Sequence, residues 1–271
     1  MTDKLCIDGP LARRHRATLI EGGDDLVIFS HGFGTDQTAW AGVLERLPRR
    51  FSVLLYDLPG AGPLLPSDFS PDRYRSLSAF ADDLLQLLDE IGVQRASYVG
   101  HSVSGMIGAL AAIEDPLRFR KLLLLNASPR YLDDVGYRGG FARGDLDGLL
   151  EGMASNYQAW VAGFAPLAIG DDVPRAIEEF SASLLAMRPD VALRIARAIF
   201  ESDVRDLLPM LGVPTVLIHA RGDVAVPEDV ARYLADHIPR SRLAWIPVTG
   251  HLPHLSAPDQ VADALRWHLA A

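Results

Sequence analysis

Short apolar runs alternate with longer stretches of helical periodicity through the first half of the chain. The runs cover residues 26–29, 51–56, 96–99 and 122–125, and each leads into a turn rich in Gly, Asn, Asp or Pro. They are continuous rather than alternating, which predicts strands buried on both faces, as in a parallel sheet. Residues 77–91 predict a helix. There Leu77, Phe80, Ala81, Leu84, Leu85, Leu87, Leu88 and Ile91 recur at helical spacing, and Asp82, Asp83, Gln86 and Asp89 are expected to face solvent. Strand, helix and strand in repetition predict right-handed βαβ units and a mostly parallel, twisted sheet flanked by helices.

The alternation stops between about 134 and 206. No strand pattern is found there, and helical stretches at 146–162, 173–186 and 189–200 take its place. Strand patterns return at 215–218 and 243–246, separated by a helical stretch at 228–238, and a last helix is expected at 258–269. The expected organisation is one α/β domain over residues 1–271. Its core is formed by about 1–133 and 207–271, and a helical insertion over about 134–206 forms a lid. A chain of this length buries enough surface to carry a pocket in its core.

Composition narrows the partners. The net charge is −9, with 35 acidic against 26 basic residues. A phosphate-binding face needs a basic excess, so nucleic acid is not an expected partner. Cys6 is the only cysteine, which allows no internal disulfide and no CxxC metal site. No HExxH motif, P-loop or GxGxxG after a strand is present, so neither a metal nor a cofactor is expected. The first ten residues lack the apolar stretch of a secretory signal, and no run is long enough to span a membrane. The expected location is the cytoplasm.

The candidate chemistry starts in the turn after the strand at 96–99. Gly100-His101-Ser102-Val103-Ser104 leads from that strand into an apolar helical run. Strand, sharp turn, serine and helix make a nucleophile elbow, which lifts the hydroxyl above the sheet. The usual pattern is G-x-S-x-G; here Ser104 takes the fifth position and Gly105 follows it. A serine hydroxyl needs a base to act as a nucleophile. In this architecture the order along the chain is Ser, then acid, then His. Asp223 follows the strand at 215–218, and His251 follows the strand at 243–246. All three therefore fall at carboxyl ends of strands, on one edge of the sheet.

Other residues compete for these roles. His254 stands three positions past His251 and is the alternative base. His219 sits at a strand end and reads as a hydrogen-bonded structural residue, and His101 as a side chain that packs or bonds locally. Asp57 also ends a strand but precedes the serine, so a turn-capping role is expected. Acyl transfer further needs N–H donors for the developing oxyanion. Val103, the residue after the nucleophile, supplies one, and Phe33 in His31-Gly32-Phe33-Gly34 supplies the other. The insertion and its flanks are rich in aromatic residues, which suit an apolar ligand. The expected pocket walls are Phe33, Tyr131, Phe141, Trp160, Phe164 and Phe200.

Several longer motifs go beyond a generic elbow. They are His31-Gly32-Phe33-Gly34-Thr35-Asp36-Gln37 with Trp40, Gly100-His101-Ser102-Val103-Ser104, Ala127-Ser128-Pro129-Arg130-Tyr131, Gly139-Gly140-Phe141, Asn156-Tyr157 with Trp160, and Gly250-His251-Leu252-Pro253-His254. Over most of its length the chain resembles the branch of the α/β-hydrolase family that holds plant strigolactone and karrikin receptors and bacterial RsbQ-type regulators of the stress sigma factor. The resemblance implies an α/β-hydrolase fold with a four-helix lid. It implies a triad of Ser102, Asp223 and His251, with Phe33 and Val103 as oxyanion donors. It also implies slow hydrolysis of small lipophilic esters or lactones, and in many members a signal passed to a protein partner. Two functions are therefore expected: an ester or lactone hydrolase, or a ligand-sensing signalling protein in which hydrolysis is incidental. A perhydrolase or C–C hydrolase would use the same scaffold. A dehalogenase would carry aspartate in place of Ser102.

Overall fold

The computed structural model describes residues 4–62 and 69–270. Among them, eight strands form one sheet. They are β1 (Lys4–Cys6), β2 (Thr18–Ile20), β3 (Asp25–Ser30), β4 (Phe51–Tyr56), β5 (Ala96–His101), β6 (Phe119–Leu125), β7 (Thr215–Ala220) and β8 (Ser241–Ile246). Their order is β1-β2-β4-β3-β5-β6-β7-β8; the β1–β2 and β2–β4 pairs are antiparallel and every other pair is parallel. The helices are α1 (Pro10–Arg14), α2 (Ala41–Leu44), α3 (Leu77–Glu90), α4 (Val103–Glu114), α5 (Arg143–Ser155), α6 (Tyr157–Ile169), α7 (Pro174–Ala186), α8 (Pro189–Phe200), α9 (Glu228–His237), α10 (Pro253–Ser256) and α11 (Pro258–Ala270). This is the expected α/β-hydrolase fold. None of the described helices is long and apolar enough to cross a membrane.

The continuous apolar runs have a simple cause. Successive strand residues point to opposite faces, and here both faces are covered. Leu54 and Tyr56 of β4, with Leu122 and Leu124 of β6, pack into the core that contains α3, α4 and the helical insertion. Val53, Leu55, Leu123 and Leu125 pack into a second core with Trp40, Val43 and the apolar side of α11. Over residues 53–55 and 122–125 neither face is left for water, so polar residues are excluded from both registers there.

Four features depart from the sequence-based expectation. The two short antiparallel strands, β1 and β2, were not anticipated; three residues each is too short for a period to register. The stretch at 146–162 is not one helix but parts of α5 and α6. Asn156 breaks it by adopting extended backbone and accepting the Ala159 N–H at 3.0 Å, a standard N-cap. Asp83, expected on the solvent face of α3, is 1% exposed. It is held there by hydrogen bonds from Tyr74 and Arg73, which compensate the buried carboxylate. His219 was expected to be hydrogen-bonded. Its Nε2 has no partner among the described residues, and the ring packs edge-on to Trp245.

Asp57 caps a turn, though not its own. Its carboxylate accepts the Gln37 N–H at 2.8 Å and pairs with Arg16 at 2.6 Å. This ties the end of β4 to the loop after β3.

Candidate active site

Ser102 stands between β5 and α4 with φ 55° and ψ −125°. A non-glycine residue in this region is strained by about 1–3 kcal/mol, and only a well-packed surrounding keeps it there. Small neighbours make the turn possible. A Cβ on Gly100 would come within 2.6 Å of the Ser104 carbonyl oxygen, and one on Gly105 within 2.4 Å of the Ala127 Cβ. Gly105 thus supplies the close helix–sheet contact, which leaves the preceding position free for a serine. The Ser102 N–H donates to the Leu125 carbonyl at 2.8 Å and anchors the turn to β6.

The loop after β7 delivers Asp223, and the loop after β8 delivers His251. Asp223 Oδ1 accepts the N–H groups of Ala225 and Val226 at 2.8 and 3.0 Å. Its Oδ2 lies 2.8 Å from His251 Nδ1, and His251 Nε2 lies 2.8 Å from Ser102 Oγ. With Asp223 ionised, Nδ1 carries the proton and donates it to Oδ2. Nε2 is then free to accept from the serine hydroxyl.

The backbone of His251 is held from three directions. Its N–H donates to the Ala168 carbonyl at the end of α6 at 2.7 Å. Its carbonyl accepts His101 Nε2–H at 2.7 Å and Asn126 Nδ2–H at 3.2 Å. Asn126 was not singled out from the sequence. It also accepts the Ala220 N–H at 2.8 Å, joining the ends of β6 and β7 to the histidine loop. A buried polar residue ending a run of four leucines was the available signal. His101, expected to bond locally, instead reaches a residue far along the chain, because the two loops meet above the sheet.

Phe33 and Val103 flank the serine. Val103 is the first residue of α4, where an N–H has no intrahelical acceptor. Among the described residues no acceptor engages the Phe33 N–H. Gly34, at φ 80°, lets this loop pass under α7, since a Cβ there would meet Leu184 at 2.6 Å.

The six expected wall residues divide into two groups. Phe200 makes edge contacts with Tyr131, Phe141 and Phe33, with ring centroids 5.1, 5.5 and 6.4 Å away. The Tyr131 hydroxyl lies 3.1 Å from Ser102 Oγ, so this group adjoins the serine. Burial raises the Tyr131 phenol well above the usual tyrosine range. It therefore remains neutral, and with the serine proton directed to His251 Nε2 the phenol is the donor to Ser102 Oγ. Trp160 and Phe164 stack on each other at 4.7 Å, and Phe164 meets Phe180, so this second group joins α6 to α7. A small apolar cavity of about 20 Å³ borders Phe33, Val103, Phe80, Ile107, Ile195 and Ile199. That is room for about one water molecule. Ser102 itself is 5% exposed.

The alternative base, His254, is not brought to the serine. Its ring packs against Trp40 and His101, with centroids 4.7 and 4.3 Å away, and neither ring nitrogen has a partner among the described residues. Burial pushes its imidazole down to about 3 and that of His219 to about 4. Both protonate near 6.5 in the unfolded chain. Between these values the unfolded state binds more protons. The stability associated with keeping them neutral is therefore complete above pH 6.5 and is lost as pH falls towards 3–4. His254→Phe keeps a ring against Trp40 without a titrating group. It is expected to reduce the loss of unfolding free energy between pH 7.5 and 5 by about 2 kcal/mol, as measured by urea titration. An unchanged acid slope would contradict this account.

Among the described residues no group of three or more His, Cys, Asp or Glu side chains is arranged to hold a metal ion.

Residues 27–264 match the sequence model of the alpha/beta hydrolase family. The chain is 48% identical to strigolactone esterase RMS3 of Pisum sativum over 93% of its own length and 95% of that protein's. It is 44% identical to the karrikin insensitive 2 receptor CA of Petunia hybrida, over 96% and 97%. Among solved structures, a hydrolase from Oleispira antarctica superposes with a TM-score of 0.93 at 31% identity, covering 99% of each chain. The strigolactone and karrikin relatives are those that the sequence motifs implied. The chain belongs to the α/β-hydrolase family.

Proposed function

We propose that the protein is a serine hydrolase of small lipophilic esters or lactones, with Ser102 as nucleophile, His251 as general base and acid, and Asp223 as the residue that orients and charges the histidine. The observation that carries this reading is the unbroken relay from Asp223 through His251 to Ser102, with both links at 2.8 Å. Ser102 Oγ attacks the acyl carbon while His251 Nε2 takes its proton. The carbonyl electrons move to oxygen, which the Phe33 and Val103 N–H groups receive. When the tetrahedral intermediate collapses, the ester C–O bond breaks and His251 protonates the leaving alkoxide. Water, deprotonated by His251, then attacks the acyl-enzyme, and the serine recovers its proton.

The aromatic group around Phe200 supports an apolar acyl or lactone ring as ligand. In this reading Phe33, Tyr131, Phe141 and Phe200 form the nearer wall, and Trp160 and Phe164 the deeper wall reached when the insertion opens. The segment at about 134–206 acts as a lid within a single domain. Ligand pockets of this kind hold roughly 300 Å³ or more, so the present 20 Å³ cavity must widen through movement of α6 to α8.

A second reading has its own support: relatives over most of the chain are named receptors, and a buried nucleophile under a closed lid suits slow turnover. In that reading the ligand is sensed in the cytoplasm and its capture is passed to a signalling protein partner. One experiment separates the two. Intact-protein and peptide mass spectrometry after exposure to a butenolide lactone and to p-nitrophenyl acetate is expected to show an acyl adduct on Ser102. An adduct lasting seconds supports the hydrolase, and one lasting hours together with a shift in melting temperature supports sensing. An adduct on another residue, or none, overturns the nucleophile assignment.

A further inference from the structure

The serine at the fifth position of the elbow has no place in the relay, yet it is fully buried. Its surroundings form a directed chain of hydroxyls. Ser104 Oγ donates to the His31 carbonyl. Ser30 Oγ donates to Ser104 Oγ at 2.9 Å. Ser30 Oγ lies 2.7 Å from the Tyr56 hydroxyl, which must be the donor because the Ser30 proton is already committed. From the other side, the Tyr98 hydroxyl donates to the Ser104 backbone carbonyl at 2.8 Å. Every member of the chain is buried, so each bond is made without competition from water.

The chain ends on the loop that carries the Phe33 N–H. The next carbonyl along that loop, Gly32 C=O, accepts His31 Nδ1–H at 2.8 Å and the Thr35 hydroxyl at 3.0 Å. His31 Nε2 in turn accepts the Leu58 N–H at 2.9 Å, which fixes the tautomer. In a planar trans peptide the N–H points opposite to the C=O. These two donors, with the Thr35 N–H at 3.4 Å, set the direction of the Gly32 carbonyl and therefore of the Phe33 N–H. Ser104 lies one residue after Val103, in the first turn of α4. Its hydroxyl is thus a direct bond between the segment bearing one free N–H and the segment bearing the other. A glycine at this position, as in the usual elbow, has no group with which to make that bond.

We propose that Ser104 is a positioning residue that fixes the separation and alignment of the Phe33 and Val103 N–H groups. The inference rests on the reading of Ser102 as nucleophile. It predicts an effect on the transition state rather than on substrate binding, because an oxyanion exists only in the former.

The test uses the full chain carrying Ser104→Ala, and Ser104→Gly in case alanine impairs folding. Active sites are counted by complete labelling with a fluorophosphonate. Then kcat per labelled site and KM are measured with p-nitrophenyl acetate, together with inhibition by an aryl trifluoromethyl ketone, whose serine adduct carries an oxyanion. The expected result is a ~10-fold fall in kcat per site, KM within about twofold, and ketone affinity weakened in proportion to kcat/KM. A purely structural role would lower the melting temperature or the labelled fraction and leave kcat per site and ketone affinity unchanged; that result overturns the proposal. Failure of the underlying reading shows separately, as turnover and fluorophosphonate labelling that persist in Ser102→Ala.

Discussion

Ser102→Ala is expected to lower kcat for p-nitrophenyl acetate by at least ~10⁴-fold, the scale seen when a serine nucleophile is removed from a relay of this kind. The substitution removes the attacking atom and nothing else of size. Alanine faces the same backbone strain at φ 55° as serine does, so the turn is neither relieved nor further distorted. His251 Nε2 and the Tyr131 hydroxyl, both now bonded to Ser102 Oγ, are left facing a methyl group. The residual rate then comes from binding and the two N–H donors alone. Unchanged turnover in a variant with a native melting curve would remove Ser102 from the mechanism.

Asp223→Asn is expected to cost about 10⁴-fold in kcat, through the wrong histidine tautomer. The surroundings dictate which way the new amide must face. Asp223 Oδ1 accepts two backbone N–H groups, from Ala225 and Val226. Only an oxygen satisfies both, so the asparagine places its carbonyl there and turns its NH₂ towards His251. Nδ1 must then accept, and the ring proton moves to Nε2. That proton points at Ser102 Oγ, and the base is blocked although every heavy atom keeps its place. The effect is therefore expected in kcat, with KM within about threefold. Because the blocked base is restored by deprotonation of nothing within reach, raising the pH from 7 to 9 is expected to recover little of the loss. A decrease of less than tenfold would mean that His251 does not depend on Asp223 for its tautomer.

Much of the architecture was legible because burial on both faces leaves a one-dimensional trace. The runs at 51–56 and 122–125 read as strands with apolar contacts on either side, and β4 and the second half of β6 are that. Helix α8 begins and ends where its pattern does, since Pro189 opens it and the apolar positions repeat without a break. The division at Asn156 was not legible in the same way. The apolar periodicity continues across it, and only the capping bond to Ala159 shows that the chain turns there. Asp83 misled for a related reason. Its place on the helix is polar by type, and its burial depends on Arg73 and Tyr74, which reach it from outside the helix.

The order Ser102, Asp223, His251 at three strand ends was set down in the sequence, because each residue follows a recognisable apolar run. Position along the chain likewise marked Phe33, in the loop after the strand at 26–29, and Val103, the residue after the serine, as candidate donors. What only the tertiary structure decided is how those positions meet. It placed His251 rather than His254 beside Ser102 Oγ, through backbone bonds with Ala168, Asn126 and His101 that converge from separate loops. It separated the aromatic residues into a group beside the serine and a group within the insertion. It also brought the His31 carbonyl within reach of the Ser104 hydroxyl. The physical reason is common to all three. Period and residue type are written along the chain and report which way a side chain faces, whereas a hydrogen bond between distant loops depends on distances that exist only after the sheet has closed the gaps between them.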